Sequence, residues 1–392
     1  MSQWQLVTLA DISERVDYGY TASATDDPEL PRFLRITDIA QPHLDWSGVP
    51  GCVIGEKALS RYELTTDDIV VARTGATVGY AKRIRSHPQA VFASYLVRFR
   101  LLPSVVPSFV GAVVESQAYK RWVHQNAGGA AQPNASAQVL GAYPMRLPDK
   151  KTQASIGAIF DVFADLIENN RRRVEVLAEM ARAIYRGWFV NFRYPGHEGV
   201  LIVDSPLGPI PDGWRATSIG NVLELKYGKA LKADARRSGE VAVVSSAGVV
   251  GWHDEHFVDG PCVVVGRKGN VGSVHWVDGP AWPIDTAYFV DTALPLRFVA
   301  EQLRLTQFTN SHAAVPGLSR DAAYARPFVE PPADLLAAFQ AAVDPLGLQA
   351  SALRQQADSL TALRDLLLPK LVTGQIDVSA LDLDGLLGEV AS

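Results

Sequence analysis

Cysteine is scarce in this 392-residue chain, which contains only Cys52 and Cys262. Two cysteines are too few for a disulfide framework or, by themselves, for a zinc site, so a reducing cytoplasm is the expected location. The chain start lacks the basic and apolar regions of a secretory signal. Its most apolar run, residues 101–114, is short and interrupted by prolines. No membrane partner is therefore expected.

An overall basic charge is also absent, because the formal net charge is −5. The acidic excess is concentrated at the end of the chain, where residues 333–392 contain 3 basic and 8 acidic side chains. Residues 1–149 are balanced, with 14 of each. Net charge therefore does not support nucleic-acid binding, but it is compatible with a local DNA-binding face.

The chain contains an internal repeat. "WQLVTLADISERVDYG" (4–19) matches "WRATSIGNVLELKYG" (214–228), and "DIVVARTGATVGYAKRI" (68–84) matches "PCVVVGRKGNVGSVHWV" (261–277). The second pair predicts a β-branched strand, a basic residue, a glycine turn and another strand. The repeat therefore predicts two related globular domains.

Two long segments show alternating four- and three-residue apolar spacing. The pattern runs from 156 to 188 and returns 183 residues later, with nine of ten positions apolar in each copy. This 3.5-residue period is typical of helices that supercoil together. Asn170 and Arg364 are the polar exceptions and are expected to fix register, while Pro345 is expected to kink or restart the second helix. The predicted seam includes Phe160, Phe163, Ile167, Asn170, Leu177, Phe339, Leu346, Leu353, Leu360 and Leu367.

These patterns predict an α+β fold with two α/β domains separated by two long antiparallel coiled-coil helices. An ordinary helical hairpin within one domain is the alternative, and the matching loop segments argue against it. The predicted segments are a first domain (1–149), a central helix (150–193), a second domain (194–332), a C-terminal helix (333–376) and an acidic tail (377–392).

Several segments resemble the specificity subunit of type I restriction–modification enzymes. The two helices resemble its conserved helices, above all "LRDLLLPKLVTGQI" (363–376). "SSAGVVGWHDEHF" (245–257), "VVVGRKGNVGSV" (263–274) and "WPIDTAYFV" (282–290) are similar to one class of its target-recognition domains.

The resemblance implies a non-catalytic DNA reader. In that family each globular domain reads half of a split double-stranded DNA site, and the paired helices set the gap between the halves. Two methyltransferase subunits dock on the helices, and motor-nuclease subunits join them. No cofactor or metal is implied on this chain, because S-adenosylmethionine, ATP and magnesium belong to those partners.

Neither glycine turn has the spacing of a nucleotide-binding loop. "RTGATVG" (73–79) and "RKGNVG" (267–272) lack both the Lys-Ser/Thr ending and the G-x-G-x-x-G pattern. A basic residue before a tight glycine turn instead predicts a DNA-facing turn, in which arginine reaches phosphate or guanine and Asn270 pairs with adenine. A hairpin turn with a solvated arginine is the plainer interpretation. The candidate DNA-binding residues are Arg73, Thr74, Gly75, Lys82, Arg83, Gln132, Asn134, Arg267, Lys268, Gly269, Asn270, Ser319 and Arg320.

Two other functions compete with this interpretation. Asp212, Glu224 and Lys226 loosely fit a magnesium nuclease, although such short acidic patterns arise by chance and the first repeat has no equivalent pair. "HDEH" (253–256) lacks the helical H-E-x-x-H context of a zinc site. A coiled-coil scaffold whose globular domains bind proteins is the other rival, and the helix pattern alone is compatible with it.

Overall fold

The computed structural model describes residues 4–41, 43–128, 133–308 and 317–378. The chain divides into a first unit, Met1–Asn170 with Gln356–Ser392, and a second unit, Arg171–Gln355. Both cuts lie inside long helices, so each unit contains a part of each helix. The domain boundaries proposed from the sequence assign the helices to segments of their own and stay a prediction.

The first unit combines short strands with helices of very different length. Its strands are β1 (Gln5–Thr8), β2 (Ser13–Tyr18), β3 (Ala24–Thr25), β4 (Arg32–Leu34), β5 (Gly51–Cys52), β6 (Ile69–Ala72), β7 (Ala81–Arg83), β8 (Ala90–Phe92), β9 (Leu96–Leu101) and β10 (Pro144–Leu147). Its helices are α1 (Ile36–Ile39), α2 (Glu56–Tyr62), α3 (Pro107–Val114), α4 (Gln117–Asn126), α5 (Ala137–Gly141) and the first part of α6 (Lys150–Tyr185).

The second unit begins within α6, which is followed by a π-helical turn at Arg186–Val190. Its strands are β11 (Ile202–Val203), β12 (Ile210–Pro211), β13 (Arg215–Ser218), β14 (Glu224–Tyr227), β15 (Val241–Ser245), β16 (Gly248–His253), β17 (Cys262–Gly266), β18 (Val274–Val277), β19 (Ala281–Pro283), β20 (Ala287–Asp291) and β21 (Pro327–Glu330). Its helices are α7 (Leu296–Leu305), α8 (Arg320–Tyr324) and the first part of α9 (Ala333–Val372).

The same strand order occurs in both units. One sheet has the order β2-β9-β6-β7, and its counterpart has the order β14-β20-β17-β18. The antiparallel pair β1–β10 corresponds to β13–β21, and the parallel pair β4–β8 corresponds to β15–β19. The repeat seen in the sequence is therefore a repeat of topology.

The inner strands β6 and β17 are the buried strands that lead into the glycine turns. β6 reads IVVA and β17 reads CVVVG, and every residue of both is buried. Strands covered on both faces favour such continuous β-branched runs over an alternating pattern. Each strand leads directly into one of the glycine turns, so a rigid element supports each turn.

Local signals fix the ends of the long helices. The backbone N–H and hydroxyl of Thr152 donate to the Asp149 carboxylate at 3.0 and 2.8 Å, and both bonds lower its pKa. After α9, Gly374 has a φ of 73°, the left-handed conformation that commonly ends a helix. α9 continues through Pro345, so the helix does not restart there, and the alternative expectation of a kink stays a prediction. Burial of neighbouring Val343 supports the helix there.

In the first unit, α6 packs against the last part of α9. Ile156 and Phe160 of α6 share a buried cluster with Leu368 and Leu371 of α9. Further along α6, the Asn170 amide donates to Gln356 Oε1 at 3.1 Å, and Asn170 is 5% exposed. This hydrogen bond forms in only one register of α6 relative to α9, so the polar pair favours that register.

In the second unit, the helices meet through aromatic rings. The ring of Phe339 on α9 lies 6.0 Å from those of Tyr185 and Trp188. Tyr185 is almost fully buried, and burial strongly raises the pKa of its phenol.

The mixed α+β class and the two long helices that pack together are confirmed. Among the predicted seam residues, Phe160, Asn170, Phe339 and Leu353 are buried. The others are half-buried: Phe163, Ile167, Leu177, Leu346, Leu360 and Leu367. Arg364 differs from Asn170, because its guanidinium pairs with Asp365 on its own helix.

Candidate nucleic-acid interface

Each unit presents a glycine turn immediately after its buried inner strand. β6 is followed by Arg73 and a 3-10 turn at Gly75–Thr77, and β17 is followed by Arg267. Left-handed backbone conformations, which glycine tolerates without strain, occur at two places in each turn. Their φ values are 69° at Gly75, 79° at Gly79, 78° at Gly269 and 76° at Gly272.

An exposed tyrosine supports the arginine in each turn. The Arg73 guanidinium carbon lies 4.8 Å from the ring centroid of Tyr18, and that of Arg267 lies 4.9 Å from Tyr227. Tyr227 also carries Arg320, at 4.7 Å. Tyr18 and Tyr227 are 44% and 46% exposed. Such stacking holds a guanidinium near the surface while limiting its rotamers.

Sequence reasoning missed both tyrosines as site residues. A Tyr-Gly pair closes the first repeated segment in each half, and this was the available signal. A Cβ atom on Gly19 would lie 2.2 Å from the Ala93 carbonyl oxygen, and one on Gly228 would lie 2.2 Å from that of Ile284. Only glycine fits after each tyrosine, so the pair is a structural unit.

Main-chain hydrogen bonds join the first turn to the loop before α5. Ala135 N donates to Arg73 O at 2.8 Å, and Gly75 N donates to Pro133 O at 2.9 Å. Thr74 and Asn134 form an antiparallel bridge, and Arg73 Nη2 donates to Asn134 Oδ1 at 3.3 Å. The structure thus brings these predicted residues together. Gln132 lies outside the described residues.

The second turn is joined to the loop before α8 in the same way. Leu318 N donates to Arg267 O at 2.9 Å, and Lys268 forms an antiparallel bridge with Gly317. Lys268, Gly269 and Asn270 are exposed. These three residues and Arg267 form one surface.

The bridges define the correspondence between the two loops. Asn134 is equivalent to Gly317, since Thr74 and Lys268 each follow the arginine of their turn. Ser319 is equivalent to Ser136, because each hydroxyl accepts a hydrogen bond at the start of a short helix, α8 or α5. Arg320 still reaches the interface through Tyr227.

Lys82 and Arg83 belong to a different part of the first unit. Lys82 Nζ lies 3.4 Å from Glu115 Oε2, and the Arg83 guanidinium pairs with Asp67 and Asp161. Arg83 is 11% exposed. Burial raises the pKa of Asp161, and the nearby arginines oppose that shift. Both basic residues hold the hairpin in place, and we do not include them in the interface.

The acidic patterns show structural contacts. Lys226 of β14 pairs with Asp291 of β20, and Arg237 donates to Asp254 and Glu255 at 2.7 and 2.6 Å. No group of three His, Cys, Asp or Glu side chains suited to a metal ion occurs in the ranges described above. Within those same ranges, no helix has the length and apolar character needed to cross a membrane.

Gly272→Ala is expected to destabilise the second turn by about 1–3 kcal/mol through steric overlap and the positive φ. An added Cβ would lie 2.7 Å from Phe308 Cβ. Hydrogen exchange of the β17 and β18 amides measures the effect. Gly279→Ala is the matched control, because no heavy atom lies within 4 Å of its added Cβ. Equal protection in the two variants would contradict the prediction.

A solved structure has the same fold over nearly the whole length of this chain. The crystal structure of the type I restriction–modification S subunit from M. genitalium aligns with 94% of this chain and 96% of its own, with a TM-score of 0.54 and 15% identity. The fold is that of a type I specificity subunit. HsdS from Thermoanaerobacter tengcongensis aligns with 96% of this chain and 98% of its own, with a TM-score of 0.37 and 14% identity.

Sequence comparison finds a similar protein for part of the chain. The specificity subunit of the type I restriction enzyme MjaIX from Methanocaldococcus jannaschii is 24% identical over 124 residues, or 32% of this chain. The match spans 29% of that curated relative's length. No protein-family model matches the chain. The predicted resemblance to type I specificity subunits is confirmed by these sequence and structure neighbours.

Proposed function

We propose that this chain is the DNA-recognition subunit of a type I restriction–modification enzyme. It binds a bipartite site in double-stranded DNA and assembles two methyltransferase subunits, which motor-nuclease subunits join. The observation that carries the proposal is the duplicated turn, with an arginine stacked on an exposed tyrosine in each half. The specificity-subunit fold supports the same function.

The chemistry of the two turns suits DNA recognition. A guanidinium pairs in bidentate fashion with guanine O6 and N7 or with a phosphate, and an exposed lysine neutralises phosphate as a point charge. Arg267 and Arg320 share one tyrosine, and exposed Lys268 follows Arg267 in the chain. Base contacts then specify sequence, while phosphate contacts fix position.

The two half-sites are expected to differ. The first turn pairs Arg73 with Asn134, whose amide suits an adenine edge, whereas the equivalent position in the second unit is Gly317. The second turn carries more cationic side chains. Different donor sets on equivalent frames therefore predict two unrelated half-site sequences.

Exposed apolar side chains on the long helices support partner docking. Val176 and Met180 of α6 are 58% and 47% exposed and line one groove with Ala183. Leu363 and Leu366 of α9 are 45% and 59% exposed. Apolar helix surfaces of this kind suit a protein partner. Methyl transfer and cleavage, with S-adenosylmethionine, ATP and magnesium, are then the work of the partner subunits.

Mapping of methylated adenine tests the proposal. Genomic DNA is compared from hosts that express the partner methyltransferase with and without this chain, and a bipartite motif is expected only when the chain is present. Exchange of residues 1–149 for those of another specificity subunit should change one half of the motif. Exchange of residues 194–332 should change the other half.

Two outcomes would favour the rival functions. Absence of a motif despite a stable complex with an active methyltransferase would favour the scaffold. Cleavage of DNA by the purified chain, lost in Glu224→Ala, would favour the nuclease.

A further inference from the structure

In the first unit, ion pairs join the β6–β7 hairpin, which contains the glycine turn, to α6. Arg83 ends β7, the strand directly after the glycine turn, and its guanidinium contacts Asp161 on α6. Arg85 lies 3.5 Å from Asp161 and 2.7 Å from Asp165. Arg83 is 11% exposed and Asp161 is 35% exposed, so the Arg83–Asp161 contact is shielded from water on one side.

In the second unit, the equivalent hairpin is joined to α9. Arg297 lies over the ring of Trp276 on β18, with its guanidinium carbon 4.4 Å from the ring centroid. Arg297 Nε is 3.1 Å from Asp344 Oδ1 on α9. An added Cβ at Gly347 would lie 1.9 Å from the same guanidinium, so Arg297 lies directly on the helix surface.

The two carboxylates occupy equivalent places in the helices. Asp344 follows Asp161 by 183 residues, the offset that aligns the two apolar seams. The arginines come from non-equivalent elements, the end of β7 in one unit and α7 in the other. The carboxylate position is therefore the shared feature of both connections.

We propose that Asp161 and Asp344 are positioning residues that fix each DNA-facing turn relative to its own helix and thereby restrict the spacer length between the two half-sites. This inference rests on the proposed function. The first hairpin carries the turn at one end and Arg83 at the other. The second carries the turn at one end and, on β18, Trp276, on which Arg297 stacks. Both turns must contact a split site at the same time. Movement of either hairpin relative to its helix therefore widens the range of spacer lengths that bind.

The test uses the complete complex with its methyltransferase partners. Asp344→Asn removes the charge while keeping the side-chain size. Binding is measured on duplexes that carry the mapped half-sites, with the spacer at its native length or changed by single base pairs. The preference for the native spacer is expected to fall about two- to fivefold, the size of a partly exposed ion pair. The base preferences within each half should not change.

Matched variants separate positioning from general stability. Asp344→Glu retains the carboxylate and should retain the spacer preference, and Asp161→Asn should act as Asp344→Asn does. Glu330→Gln breaks the Arg215–Glu330 pair, which joins β13 to β21, and should leave the preference unchanged. Thermal unfolding of each variant checks that it is folded.

Distinct results overturn the two proposals. If folded Asp344→Asn and Asp161→Asn bind every spacer with the wild-type ratio, the positioning role is overturned, even where total affinity falls. If the wild-type complex shows no preference for a bipartite site, the proposed function itself is overturned.

Discussion

Replacement of Arg267 by alanine is expected to lower affinity for the bipartite site about 10- to 100-fold at constant salt, as for loss of a bidentate base or phosphate contact. Arg267 Nη1 donates to the Asp285 carbonyl oxygen at 3.0 Å, and its guanidinium stacks on Tyr227. The side chain is therefore oriented before DNA arrives. The remaining guanidinium N–H groups are the donors through which we expect it to bind.

Fluorescence anisotropy of the assembled complex with a labelled duplex measures this loss. Arg215→Ala is the matched control, because Arg215 is an exposed arginine of the same unit that pairs with Glu330 on β21. It should bind nearly as the wild type does. Wild-type affinity in both Arg267→Ala and Arg73→Ala would contradict the role of the turns and favour the scaffold.

Arg98→Ala is expected to destabilise the first unit by about 2–5 kcal/mol, because it removes charge-assisted hydrogen bonds from a buried network and takes a donor from the Glu63 carbonyl oxygen. Arg98 is fully buried; its Nη2 donates to Asp17 at 2.6 Å and its Nη1 donates to the Glu63 carbonyl oxygen at 2.8 Å. Asp68, also buried, lies 3.7 Å from Nη1. Removal of the guanidinium therefore affects β2, β6 and β9 together.

Hydrogen exchange of the β9 amides measures the stability of the first unit, even if the two units unfold separately. Arg15→Ala is the control, since Arg15 pairs with the same Asp17 but is 42% exposed. Its loss should change stability by about 0.5 kcal/mol or less. A similarly small change in Arg98→Ala would show that the buried network contributes little.

The long helices and the repeat were predictable, because both have a period that is visible in the sequence. The seam spacing indicates helices that pack along one face, and α6 and α9 have that arrangement in each unit. The matching segments likewise align strands of the same sheet order. A repeat in the sequence predicts a repeat of structural elements. Here the repeated elements include the turn glycines with positive φ.

The contacts of individual basic residues were less predictable. Lys82 and Arg83 lie close in sequence to Arg73, yet their partners are Glu115 on the segment after α3 and Asp161 on α6. Those carboxylates are distant along the chain, so local sequence does not reveal the pairing. The equivalence of Asn134 and Gly317 was also not visible in the sequence, because it depends on backbone bridges rather than on residue type.

The backbone bridges also bear on how such a protein acquires new specificities. The turn is held to its neighbouring loop by Ala135 N to Arg73 O in the first unit and by Leu318 N to Arg267 O in the second. Main-chain bonds place few demands on the side chains at Thr74, Lys268 or Asn270. Those positions are thus open to mutational drift and selection. On the proposed function, a lineage can alter the DNA sequence that is recognised without rebuilding the main-chain frame of the turn.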